Sequence, residues 1–207
     1  MQALLHLQLT TDDLTLRATT EADLPALAAT LPDDVELNPA LPGADGDARL
    51  DRTARVYQGY WRDRADSRPG TWTLPFVVLR DGRILGTQTL EAREFGRLRT
   101  VETASWLVSG ARGQGIGKRM RLAVLALAFE HLGALVAETE AWHHNTASVG
   151  VSRSLGYLPN GVYRHASGDG ADDMIRMRLP VEAWRAQHGG LAIKIDGLAE
   201  CRDWLTA

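Results

Sequence analysis

The chain has 207 residues, 44% hydrophobic and 24% charged, with a formal net charge of −3 at pH 7. That is enough for one domain with a full core, and the slight acidic balance speaks against general nucleic-acid binding, which shows a basic surplus. The single cysteine, Cys201, excludes an internal disulfide and suits a reducing cytoplasm; no signal peptide is expected from residues 1–10, and the sequence holds no membrane-length apolar run.

In chain order, residues 14–17 alternate like a short strand, and Thr20 to Asp23 offer a helix start before Leu24, Leu27 and Leu31. Residues 32–47 form a long Pro-, Gly- and Asp-rich loop, carrying Asp33, Asp34, Glu36, Asp45 and Asp47 with no base. A second helix spans 48–65, with Leu50, Ala54, Tyr57 and Trp61 on its apolar face. Two strands, 72–79 and 84–90, are joined by Asp81-Gly82, a strong hairpin signal. A strand over 100–108 leads into Ala111-Arg112-Gly113-Gln114-Gly115-Ile116-Gly117-Lys118, and residues 122–132 continue as a helix apolar nearly all round. A strand over 134–141 is followed by a helix from Asn145 to Gly156, where glycine can close it. Strands at 161–166 and 174–179 flank a connection with Asp169, Asp172 and Asp173. A short helix over 180–187, a strand over 192–197 and a terminal helical piece complete the chain.

The glycine stretch carries the strongest signal. Glycines at 113, 115 and 117 allow a tight turn, and the unpaired N–H groups of the next helix add a positive end, together a seat for phosphate. Lys118, Arg119 and Arg121 oppose the helix dipole unless a polyanion sits there. A Walker A loop would need glycine at Arg112 and a hydroxyl at Arg119, and neither register of a dinucleotide fingerprint keeps its third glycine. Arg112, Gly115 and Gly117 do fit Arg-x-x-Gly-x-Gly, which resembles the pyrophosphate motif of the GNAT superfamily of acyl-CoA-dependent N-acyltransferases. Glu102-Thr103-Ala104-Ser105-Trp106-Leu107 and Asn145-Thr146-Ala147-Ser148 resemble, in the same order, two further motifs of its Rim-type N-acetyltransferases, with Ala104 in place of a usual glycine. Trp72-Thr73-Leu74-Pro75, Met120-Arg121, Val151-Ser152-Arg153 and Gly156-Tyr157 are similar to an actinobacterial branch of acetyl and succinyl transferases.

The resemblance implies an α/β (α+β) GNAT fold: a mixed, mostly antiparallel twisted sheet of about seven strands with helices on both faces. Residues 1–207 are expected to form a single domain with its core at 14–187 and a short C-terminal extension at 188–207, which either caps a homodimer or packs on the domain. It implies acetyl-CoA as donor, with succinyl-CoA the rival if Arg17 or Arg153 reaches the acyl tip. It also implies Glu102 as general base, directly or through water, and strand alternation puts Glu102 on the face of Ala104 and Trp106. Ser148 is the implied partner of the CoA sulfur, with a helix-capping role as the plain alternative. Trp106, Leu107 and Val108 would offer backbone groups to pantetheine and thioester. Arg112, Gly113, Gln114, Gly115, Ile116, Gly117 and Lys118 would clamp the pyrophosphate, and Asn145 would contact CoA. The tyrosine acid of many relatives falls at Ser152 and is absent.

No metal is expected, because His143 and His144 are adjacent and would face opposite ways on a strand. Trp61, Trp72, Trp184 and Trp204 read as core. The eight carboxylates of the two acidic loops favour a cationic amine acceptor: a basic peptide antibiotic, a similar small molecule, or a protein N-terminus or lysine. A non-catalytic acyl-CoA-binding module is the reading from another class. Nucleic acid and membrane are not expected partners, and a cytoplasmic location is.

Overall fold

The computed structural model describes residues 2–35, 41–44, 47–167 and 170–207. Nine strands form one sheet: β1 (Gln8–Thr10), β2 (Thr15–Ala18), β3 (Trp72–Arg80), β4 (Arg83–Ala92), β5 (Thr100–Leu107), β6 (Val136–Trp142), β7 (Leu158–Ser167), β8 (Gly170–Pro180) and β9 (Lys194–Asp196). Their order across the sheet is β7-β8-β6-β5-β4-β3-β2-β1-β9. Every neighbouring pair is antiparallel except β5 and β6. The helices are α1 (Leu24–Thr30), α2 (Ala48–Asp66), α3 (Phe95–Leu98), α4 (Ile116–Ala126), α5 (Thr146–Ser154), α6 (Val181–His188) and α7 (Leu198–Thr206).

The sheet has nine strands rather than about seven: the strand expected over 192–197 forms as β9, and β1 is an unforeseen addition, both at one edge. β9 pairs with β1, and β1 with β2. β1 is only three residues long, too short for alternation to separate it from the apolar N-terminus around it. The late hairpin is also longer than its apolar pattern. Asp172 and Asp173 lie in β8 rather than in a connection, while Asp169 lies outside the described residues, as do Glu36 and Asp45 of the earlier loop.

One face of the sheet holds the main core. Leu74, Phe76 and Val78 of β3 and Leu90 of β4 are buried there with Met120, Ala123 and Val124 of α4. α4 runs on into a π-helical turn, Leu127–Leu132, that ends at left-handed Gly133. Its Phe129 stacks on Trp184 of α6 at 5.2 Å between ring centroids. The C-terminal segment belongs to this core: Leu205 and Cys201 are buried, and the Trp72 indole donates to Leu205 O at 2.8 Å.

α1 and α2 cover the other face through a smaller cluster of Leu24, Leu27, Tyr60 and Val77. The face expected for α2 holds in part: Tyr57 packs on this cluster, but Leu50 and Trp61 are 61% and 51% exposed, and Val56 and Tyr60 complete the inward side. Trp61 is thus not core. Its indole donates to Glu21 and meets Tyr57 edge-on. α2 touches the sheet along one side only, so a cleft remains beneath it.

Candidate active site

The site begins with a fault in the sheet. β5 and β6 pair in parallel only from Thr100 to Glu102, against Val136 to Glu138, although β5 continues to Leu107 and β6 to Trp142. The Thr139 hydroxyl still reaches Thr103 O at 3.0 Å; beyond it the strands part and the edge of residues 104–107 meets no β6 partner. Ala104 and Ser105 are exposed along that edge, and a free strand edge can take an extended ligand by main-chain pairing, so the wedge is a place for one.

A glycine turn stands at the wide end of the wedge. Gly113 and Gly115 have φ of 73° and 72°, which only glycine adopts at little cost, and Gly115 caps α4. Arg119 N–H bonds Gly115 O at 3.2 Å, while among the described residues the N–H groups from Gly113 to Lys118 make no backbone bond. Those six donors converge at the positive end of α4, the arrangement that suits phosphate. The side chains around it divide differently from the sequence expectation. Lys118 forms no ion pair among the described residues, but Arg119 binds Asp13 at 3.0 Å and Arg121 points inward. Arg112 forms a fork with Asp34 at 2.6 and 2.8 Å, and its Nε holds Leu107 O at 3.1 Å.

On the opposite side of the sheet the cleft under α1 and α2 has a volume of about 1180 Å³. Its floor carries a row of carboxylates in direct cross-strand register: Glu91 opposite Glu102, and Glu102 opposite Glu138. Asp63 and Asp66 of α2 line the same cleft. Like charges opposite one another on a sheet repel, and the protonation of the row reflects it. Burial, then Glu102 and Asp63, push the Glu91 carboxyl up to about 7. Burial pushes Asp63 up to about 6, with Asp66 adding to it against Arg62. The Glu102 carboxyl is raised by burial first and then by Glu140 and Glu138.

Residues 13–158 match the family model of the acetyltransferase (GNAT) domain. The chain belongs to the GNAT acetyltransferase family. It is an acyltransferase, and its fold and Rim-type likeness agree with solved structures. RimJ of Mycobacterium smegmatis, in complex with CoA-disulfide, is 25% identical over 86% of each chain, with a TM-score of 0.69. RimL, described as a ribosomal L7/L12 alpha-N-protein acetyltransferase in complex with coenzyme A, is 18% identical over 84% of this chain and 97% of its own, with a TM-score of 0.64. A spermidine N-acetyltransferase SpeG chimera from Vibrio cholerae and hSSAT is 17% identical over 84% and 98%, with a TM-score of 0.66.

In this GNAT protein the wedge and turn bring together the sequence-predicted Trp106, Leu107, Val108 and Arg112 to Lys118. Trp106 packs toward α1 and α2, whereas Leu107 and Val108 pack on the main core. Asn145 caps α5, its Oδ1 accepting from Ser148 N at 3.0 Å. The Ser148 carbonyl accepts from the Ser152 hydroxyl at 3.1 Å. Other expectations change. Arg17 is bound in a fork to Asp23 at 2.7 and 2.8 Å, so it is not free to meet a charged acyl tip. Asp34 is engaged by Arg112 and Asp47 caps α2, and among the described residues no carboxylate of the acidic loops lines the cleft. Glu91, Glu138 and Asp63 provide that lining, together with Glu102. Neither Glu91 nor Glu138 was singled out in the sequence; strand register sets them beside Glu102.

His143 and His144 also differ from the expectation of opposed side chains. β6 ends at Trp142, and both Nδ1 atoms turn to Asp172, at 3.1 and 3.3 Å. Strand alternation does not apply in the turn. The three donors lie within 4.8 Å of one another at the surface, a metal-ligating set by type that is engaged in its own ion pairs. Among the described residues no helix is long and apolar enough to cross a membrane.

Proposed function

We propose that this GNAT protein is an N-acetyltransferase that moves the acetyl group of acetyl-CoA to a primary amine on a cationic acceptor. The observation that carries the reading is the position of Glu102. It is the last β5 residue paired to β6, at the apex of the wedge, and it lines the carboxylate floor of the cleft on the sheet's other side. Donor and acceptor sites therefore meet at one carboxyl group.

The chemistry follows from that junction. An ammonium drawn in by Glu91, Glu138 and Asp63 gives a proton to Glu102, directly or through water, and its lone pair attacks the thioester carbon. Raising the carboxyl toward neutral pH makes it a better base for this transfer. The open main-chain edge at 104–107 offers N–H groups to the carbonyl oxygen as it gains charge. The glycine turn holds the pyrophosphate, with Lys118 as its nearest free cation, while Ser148 faces the sulfur from α5. Residues 1–207 act as one catalytic domain in this reading, and a cytoplasmic site of action goes with the donor. The amine-acetylating neighbours described as acting on spermidine or on a protein N-terminus support an amine acceptor.

Arg17, one of the two arginines that could meet a succinyl carboxylate, is locked to Asp23, which supports acetyl over succinyl transfer and leaves Arg153 as the arginine to test. The test is CoA release from acetyl-CoA and succinyl-CoA against polyamines, basic peptide antibiotics and N-terminal peptides. Turnover with acetyl-CoA on polycations is expected. Preference for neutral amines, or for succinyl-CoA, would overturn the respective half of the proposal, and binding without turnover on any amine would favour a regulatory module.

A further inference from the structure

Arg121 leaves the second turn of α4 and points into the protein. Its Nη1 donates to Ser152 Oγ of α5 at 2.9 Å, and its Nη2 to Ser105 Oγ of β5 at 3.3 Å. The residue is 4% exposed, and its Nε has no partner. Other arginines of this chain meet carboxylates: Arg17 with Asp23, Arg112 with Asp34, Arg119 with Asp13, Arg176 with Glu140. Arg121 forms no ion pair among the described residues, and the titratable group near it is the Tyr157 hydroxyl, which is buried too. A buried cation without a counter-charge is unfavourable, and a guanidinium cannot escape by losing its proton. Such a group is retained where a negative charge arrives.

The place narrows which charge that is. Ser105 belongs to the open edge of β5, and its side chain lies on the helix side, opposite to the face of Glu102. Ser152 passes its own hydrogen to the carbonyl of Ser148 at 3.1 Å. The guanidinium thus ties β5, one wall of the wedge, to α5, the helix that follows β6, on the side away from the acceptor cleft. An amine arriving over Glu102 drives the leaving group toward that opposite side. When the C–N bond has formed, the C–S bond breaks and its electron pair stays on sulfur. The ammonium proton has gone to Glu102, so the departing species is an anion.

We propose that Arg121 is the counter-charge for the coenzyme A thiolate, stabilising the leaving sulfur across the wedge through the hydroxyl of Ser105, while Ser152 anchors the guanidinium to α5. It keeps its proton throughout and acts as a positioning residue. The inference rests on the acyl-CoA reading of the wedge given above.

The test is the ionisation of the thiol of CoA bound to the wild-type protein, followed by thiolate absorbance against pH. A free thiol ionises near about 8.5, and a neighbouring cation lowers that by about one to three units. A bound thiol that ionises at least one such unit below free CoA is expected. The Tyr157→Phe variant, which removes the nearest other chromophoric group, is expected to keep the shift. Arg121→Gln is expected to abolish it and to lower kcat by about a hundredfold, the scale of losing one preorganised donor, with acetyl-CoA affinity close to wild type. Arg121→Lys should restore part of both. If CoA binds and its thiol ionises at or above the free value, the proposal for Arg121 fails alone. If CoA does not bind, the acyl-CoA reading fails with it. The wild-type titration decides even where the glutamine variant does not fold.

Discussion

Glu91 and Glu102 stand in register across β4 and β5, two carboxyl groups facing one cleft. Glu102 makes Glu91 harder to ionise, and the half-buried Glu91 holds its proton to about pH 7. The native state therefore binds a proton that the unfolded chain releases near the ordinary carboxylate value. Stability should fall as pH rises between about 4.5 and 7, because the native state binds more protons in that window. Replacing Glu91 with Gln should remove this slope and stabilise the protein at pH 8 by up to about 3 kcal/mol. Asp63 contributes a slope of the same sign up to about pH 6. Urea unfolding at pH 5 and pH 8, for wild type and Glu91→Gln, checks it; an unchanged slope in the variant would show that Glu91 ionises normally.

The carboxylates that raise Glu102 set the acid limb of activity. After burial these are Glu140 and Glu138, so the limb of kcat/KM in Glu138→Gln should move to lower pH. Glu102→Gln should lower kcat by about 10²- to 10⁴-fold, the range for a positioned general base, while acetyl-CoA binding by calorimetry stays near wild type. Equal kcat in the Glu102 variant would remove it as the base.

Asp34 and Arg112 meet at the mouth of the wedge, where the pyrophosphate is proposed to sit. Phosphate must compete with Asp34 for the guanidinium fork. Asp34→Asn is therefore expected to tighten acetyl-CoA binding a few-fold at low salt, with a smaller gain at high salt. Weaker binding in this variant would mean that Asp34 orients Arg112 and does not compete for it.

The C-terminal segment is expected to be integral to stability. Leu205 is fully buried beside Trp72, whose indole bonds the Leu205 carbonyl. Leu205→Ala should cost about 2–5 kcal/mol, read as a fall in the denaturation midpoint with an unchanged m-value. A loss near zero would show the segment to be a loose attachment.

Local order in this protein was legible because it is written in local spacing. Asp81-Gly82 announced the β3–β4 hairpin, and both residues take the left-handed conformation that such a turn needs. Asn145 announced the start of α5 and Gly156 its end, at φ 89°. Long-range pairing left no such mark. Arg112 read as a free phosphate clamp until the fold set Asp34 against it, 78 residues away in sequence. Trp61 read as core from a helical stripe, but a helix buries the side its neighbours touch, and α2 is touched on the side of Val56 and Tyr60.

By itself, the sequence determined the order of the elements, the glycine turn that only a short spacing of left-handed residues can build, and the family to which those motifs belong. The tertiary structure decided which charges are free. Register placed Glu91, Glu102 and Glu138 side by side, the parting of β5 from β6 opened the wedge at Glu102, and packing left Arg121 buried without a carboxylate. Electrostatic environment depends on distance through space and on burial, and neither is encoded in the neighbours along the chain.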